Sequence, residues 1–306
     1  MVNSLCGRHW IIGMLVVMCL FSCDRVIPYP YLAKEDALLR VNSNVYDQDS
    51  ALVLVSRLFA ITHDHRSKDE YQKNLDSELS FFVNGTQVPS YAFSRGIQDQ
   101  YVIRYPFKQG DEIYLECSAP GLPTVSASTT IPIVNMGLIH EFRLYEEDGN
   151  MKGDVVLNDN PDSYDAYEVS VEIRESFIDS VEGKVVRTGS FTLVRNLSID
   201  GTADGEIRFM DDSYADKDSR IRLRLPGYKM PRDGVYVDEN GISHTTDAWY
   251  EVRLKVTLLS RESYYWLLAS KTYDMSPSCY TNITGGHGCL GGRTTVVSET
   301  IKFDRL

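Results

Sequence analysis

From Leu38 onward the apolar residues come in short runs that alternate with polar ones, which is the pattern of β-strands. The clearest run is Tyr250-Glu-Val-Arg-Leu-Lys-Val-Thr-Leu258, whose near-perfect alternation predicts a strand with one buried and one wet face. Leu38–Val41, Ala51–Thr62, Leu79–Val83, Gln100–Tyr105, Glu112–Cys117 and Thr124–Ile131 are rich in Val, Ile, Tyr, Phe and Thr and are bounded by Gly, Asn, Asp and Pro. Gly110-Asp111 and Asn84-Gly85 are turn signals between such runs. The polar stretch His63–Leu75 interrupts the pattern and reads as a long loop or a short exposed helix. Ile131-Pro132 marks a boundary, because proline cannot continue a central strand.

A second β-rich set follows: Leu138–Tyr145, Gly153–Leu157, Ala166–Arg174, Val185–Val194, Gly205–Phe209, Arg220–Leu225, Val235–Asp238, Tyr250–Leu259 and Thr294–Phe303. The exception is Arg261–Tyr273, which predicts a helix. Ser260 can cap it, Glu262 suits its amino end, and Tyr264, Leu267, Leu268 and Lys271 share one face. The expected fold is mainly β, with two β-sandwich-like domains of immunoglobulin or prealbumin type at residues 35–132 and 133–306. The second carries the short helix at 261–273 and a glycine-rich loop at 284–292. There is no internal repeat and no low-complexity tract.

The amino-terminal pattern differs. Arg8 and His9 precede the apolar run Trp10–Phe21, and Leu20-Phe-Ser-Cys23 follows the bacterial lipobox pattern. The run is shorter than the roughly 20 residues a spanning helix needs. Residues 1–22 therefore read as a lipoprotein signal peptide, with Cys23 as the residue that is diacylated and then acylated again at the new amino terminus. The alternative is an ordinary secretory signal with an incidental cysteine. Residues 23–34, with Pro28-Tyr-Pro-Tyr31, read as an extended tether, and ten such residues reach roughly 30 Å.

The chain carries 43 acidic and 31 basic residues, a formal net charge of −12, and removing residues 1–22 takes away only Arg8 among its charges. Such a chain is repelled by nucleic-acid phosphates and anionic headgroups, so a lipid must do the anchoring. Cys117 sits in a strand run and is expected buried and reduced. Cys279 and Cys289 flank the glycine-rich segment of an exported protein, and a disulfide between them is expected.

Tyr264-Tyr265, Ser276-Pro277, Thr281-Asn-Ile-Thr-Gly-Gly-His-Gly288 and Gly291-Gly292 make the carboxy-terminal quarter resemble the domain-of-unknown-function 4249 family of Bacteroidetes lipoproteins. Gln100–Glu116, Pro120–Pro132 and Asn158–Val171 fall in the order that family shows, so the resemblance spans nearly the whole mature chain. It implies a lipid-anchored outer-membrane protein, often encoded beside TonB-dependent transporters and without an established activity. Cys279 and Cys289 depart from the family pattern. Where surface export in that phylum uses an acidic stretch after the lipidated cysteine, this chain has only Asp24 next to Arg25, so periplasmic and surface-exposed faces both stay open.

Chemistry-bearing motifs are sparse. Thr284–Gly292 holds five glycines but lacks the Gly-Lys-Ser/Thr ending of a phosphate cradle. Gly285, Gly286 and Gly288 therefore read as turn or close-approach positions, and Asn282 as a turn former or backbone hydrogen-bonder, with a ligand contact as the alternative. His63-Asp-His65 has workable metal geometry but no third ligand, and Asp211, Asp212, Asp216 and Asp218, or Asn158-Asp-Asn160 with Asp162, do not match a spaced calcium loop. Gly-x-Ser-x-Gly is absent, and no Ser-x-x-Lys comes with its partner motifs. The reading is a non-enzymatic binding or accessory protein without metal or cofactor, anchored to the membrane by its lipid, with a TonB-dependent transporter as the implied partner. Its ligand is an unidentified small molecule, peptide or glycan. A hydrolase acting on peptide or glycan before uptake, and a structural or adhesive surface module, are the alternatives.

Overall fold

A computed structural model describes residues 37–58, 75–96, 99–158, 165–178, 183–187, 189–195, 197–199, 202–203, 207–210, 220–225, 228, 234–237, 240–246, 248–271 and 280–304. The expected leader 1–22, the tether with Cys23, residues 63–74 and Cys279 lie outside the described residues. Every element below belongs to one compact unit, Leu38–Leu58 with Arg66–Leu306.

The alternating runs become strands, and their buried positions point toward two cores. In the first half these are β1 (Leu38–Tyr46), β2 (Ser50–Leu58), β3 (Glu78–Val83), β4 (Thr86–Gln87), β5 (Phe93–Arg95), β6 (Gln100–Arg104), β7 (Glu112–Ala119) and β8 (Leu122–Thr130). Strands β1-β2-β6-β5 lie in one sheet and β4-β3-β7-β8 form another. Leu39, Val41, Val53 and Ile103 meet Phe81, Ile113, Leu115 and Val125 in one buried cluster. Burying such side chains contributes about 1.5–3 kcal/mol each, which is what holds two pleated faces together.

At the start of β6, Asp99 adopts φ 53° and is buried. Its carboxylate accepts from Leu75 N (2.6 Å), Ser77 Oγ (2.9 Å) and Arg95. Burial alone would raise its pKa, but those three donors outweigh it and hold the carboxyl below its usual range.

The second half contributes β9 (Ile139–Glu147), β10 (Asn150–Leu157), β11 (Ala166–Ile178), β12 (Val185–Arg187), β13 (Thr192–Leu193), β14 (Ser198–Ile199), β15 (Thr202–Ala203), β16 (Ile207–Met210) and β17 (Arg220–Leu225). It continues with β18 (Gly234–Val237), β19 (Ser243–Thr246), β20 (Ala248–Leu259), the helix α1 (Arg261–Lys271), β21 (His287–Val297) and β22 (Ile301–Phe303). A β15-β14-β17-β10-β9 sheet lies on one side of the second core, and β11 with β20 on the other. Met151, Val155 and Leu223 there meet Val169, Val171, Leu254 and Val256.

Strand β20 alternates as expected, but its polar face is not wet. Glu251 and Thr257 are buried. Glu251 accepts from Arg174 Nε (3.0 Å) and Arg187 Nε (3.1 Å), and Glu172 on β11 accepts from Arg253 Nε (2.6 Å). The ring of Phe191 is 4.3 Å from the Arg174 guanidinium and 4.0 Å from that of Arg253. A ladder of cross-strand ion pairs, capped by an aromatic ring, covers a face that alternation alone assigns to solvent.

The two cores share a sheet. The first part of β21 runs parallel to β1, from Arg40↔His287 to Tyr46↔Arg293, and its second part runs antiparallel to β20, from Leu259↔Arg293 to Lys255↔Val297. A single order β12-β11-β20-β21-β1-β2-β6-β5 results. Residues 133–306 therefore do not all serve the second core: Ile283 and Leu290 are buried in the first.

Candidate functional site

The glycine-rich segment is mostly a strand. The expected loop 284–292 holds only to Gly286, since β21 begins at His287. Strand signals failed here because glycine has neither an apolar side chain nor β propensity. Its value is close approach. At Gly288, with φ 117°, a Cβ would overlap the carbonyl of Val41 on β1. At Gly292 it would overlap the carbonyl of Thr130 on β8, and at Gly291 the Ser263 hydroxyl on α1. Gly286 abuts the Leu39 carbonyl and Val125, while Gly285, at φ 77°, turns beside the Thr124 carbonyl. Sheet, strand edge and helix thus converge on a backbone without side chains.

Asn282 completes this junction as a backbone surrogate. Its amide nitrogen donates to Leu290 O (2.8 Å) and Ser128 O (3.2 Å), and its oxygen accepts from Leu290 N (3.0 Å). Thr281 Oγ1 donates to Gly288 O (2.9 Å), and Thr284 pairs with Ser126 through both backbone bonds. Thr281, Asn282 and Thr284 thus tie β8 to β21 by hydrogen bonds.

Helix α1 starts at the same place. Ser260 caps it, with Oγ accepting from Ser263 N at 3.3 Å. Gly292 N donates to Ser260 Oγ and to Thr129 Oγ1, both at 3.1 Å, and the Thr129 hydroxyl donates to Glu262 Oε2 (3.0 Å). The helix keeps the predicted Tyr264 buried, but Leu268 is 45% exposed. Cys289 is a free, buried thiol whose Sγ lies 3.6 Å from the Glu262 carbonyl, under the helix. Cys279, its expected partner in a bridge, lies outside the described residues. Cys117 is free and buried, as expected. Burial pushes both thiols up to about 12.

Beside this junction opens a cleft of about 780 Å³. Its floor is the outer face of β3, β7 and β8, where Phe82, Tyr114 and Ser128 stand in one cross-strand row and Glu112 and Thr130 in the next. Pro132, Asp165, Leu259, Arg261 and Glu262 form its wall. Asn282, Gly285, Gly286 and Gly288 do not line it, so the junction frames the cleft without supplying its surface. Alternation along Glu112–Cys117 does place Tyr114 and Glu112 outward, but nothing local shows that Arg261 and Glu262 would rise beside them. Among the described residues no group of three His, Cys, Asp or Glu side chains is placed to hold a metal ion.

No protein-family model matches the chain, and no curated protein matches it.

Proposed function

We propose that this is a lipid-anchored binding or accessory protein of the outer membrane, held by Cys23 and acting beside a TonB-dependent transporter. The observation that carries binding is the cleft, whose volume falls in the about 300–1,000 Å³ range of small-ligand sites. It combines aromatic rings, hydroxyls and carboxylates on a floor of regular strands, which suits recognition without large rearrangement. The anchor is supported by the leader pattern ending at Cys23, and the transporter by the family resemblance. With a net charge of −12 the protein has little attraction of its own for anionic headgroups, so an acyl anchor accounts for membrane retention.

Fractionation of wild type and Cys23→Ala, with intact-mass analysis of the wild type, tests the anchor. The wild type is expected in the outer-membrane fraction with the mass of an acylated chain beginning at Cys23, and the variant is expected to leave that fraction. A Cys23→Ala protein that stays tightly bound would contradict the reading.

A further inference from the structure

We infer that the cleft binds a neutral saccharide, with a pyranose ring laid against Phe82 and Tyr114; this deepens, and rests on, the reading of the cleft as the binding site. The two rings stand side by side with centroids 5.6 Å apart and planes tilted by 49°, and Tyr114 is 37% exposed. Together they make a shallow aromatic trough rather than a closed apolar pocket. A sugar ring has the matching polarity. Its C–H faces suit the negative face of an aromatic ring, while its rim of hydroxyls needs donors and acceptors at the edges. Those stand along the same floor: Ser128 opposite Tyr114 on the next strand, and Glu112 opposite Thr130 one row away.

Charge narrows the class. Glu112, Asp165 and Glu262 face the cleft against one cation, Arg261, so an anionic sugar or a phosphate meets net repulsion. A cationic ligand meets no such repulsion, so it is the aromatic trough, not charge, that argues for a saccharide over a cation. Glu262 accepts from Thr129 at 3.0 Å, Asp165 from the Tyr167 hydroxyl at 3.4 Å, and neighbouring Glu116 from the Tyr114 hydroxyl at 2.6 Å. A carboxylate accepts from sugar hydroxyls as it does from these hydroxyl donors.

Calorimetric titration of the mature protein in detergent, at low and high salt, tests this. The neutral probes are maltohexaose, cellohexaose, xylohexaose and laminarihexaose, and the charged ones are hexagalacturonate and hexalysine. At least one neutral hexasaccharide is expected to bind with an affinity that changes less than about twofold with salt. Tyr114→Ala is expected to weaken it about tenfold or more, and Thr130→Val, close in shape, to weaken it less. Both substitutions are on the outer face, and circular dichroism confirms that each variant folds. Hexalysine binding that is lost in Tyr114→Ala, with no neutral sugar bound, would overturn the saccharide while leaving the cleft as a binding site. Sugar binding unmoved by either substitution would place the saccharide elsewhere and overturn the inference. Binding of no probe at all would overturn the inference and withdraw its support from the binding reading.

Discussion

Gly288 shows how one residue type carries two meanings. In the sequence it belongs to a run that reads as turns; in the fold it is an interior strand residue pressed against the Val41 carbonyl. The linear text could announce glycine's freedom but not the oxygen from β1 that requires it. Alanine there would combine overlap with backbone and a φ of 117° that side chains rarely adopt. Gly288→Ala is expected to lower stability by about 3 kcal/mol or more in urea unfolding. Gly96→Ala serves as control, because its Cβ would meet nothing closer than 3.5 Å and no positive φ is involved. A change within about 1 kcal/mol is expected there, and equal midpoints for the two variants would contradict the close-approach account. Of the roles the sequence leaves open for Asn282, the fold shows backbone hydrogen bonding, and its partners Ser128 and Leu290 are visible only there.

Among the elements, β20 and α1 were legible because each satisfies a local rule: alternation for the strand, and a serine cap with an acidic first turn for the helix. The sequence pattern shows β21 only from Thr294, since its first six residues include three glycines. Exposure of Leu268 has a similar cause: the helix rests on glycines and a cysteine of β21, so the stripe it buries runs through Ser263 and Tyr264. The Ser260 hydroxyl serves two elements, accepting from Ser263 N in the helix and from Gly292 N in β21. Ser260→Ala is therefore expected to lower stability by about 1–2 kcal/mol, toward the upper end of a simple cap. Thr129 Oγ1 still accepts from Gly292 N in that variant, which bounds the loss. A change below about 0.3 kcal/mol in the urea midpoint would contradict the shared-cap description.

At the scale of the whole molecule, the two-core, mainly β reading from the sequence agrees with the structure, and the sharing of one sheet is what the sequence concealed. Cores announce themselves as local runs of apolar residues. A strand that leaves one core for the other depends on pairing between residues some 250 positions apart, for which no local signal exists. The consequence for function is spatial. β21 carries β1 on one side, is tied to β8 through Asn282 and Thr129, and supports α1, so floor and wall of the cleft are fixed to the same strand. The residues most suggestive of a ligand in the sequence form the frame, and the candidate ligand surface is the less conspicuous row of Phe82, Tyr114 and Ser128.

Hydrogen–deuterium exchange of the mature protein, read on peptides spanning residues 281–297, tests that division most directly. Seven consecutive residue pairs join β1 and β21. The amides of 287–293 are therefore expected to exchange as slowly as those of 40–46, and Gly288→Ala is expected to deprotect both together. Exchange of 287–293 within seconds, as in an open loop beside a protected β1, would contradict the account and return the glycines to the list of candidate ligand contacts.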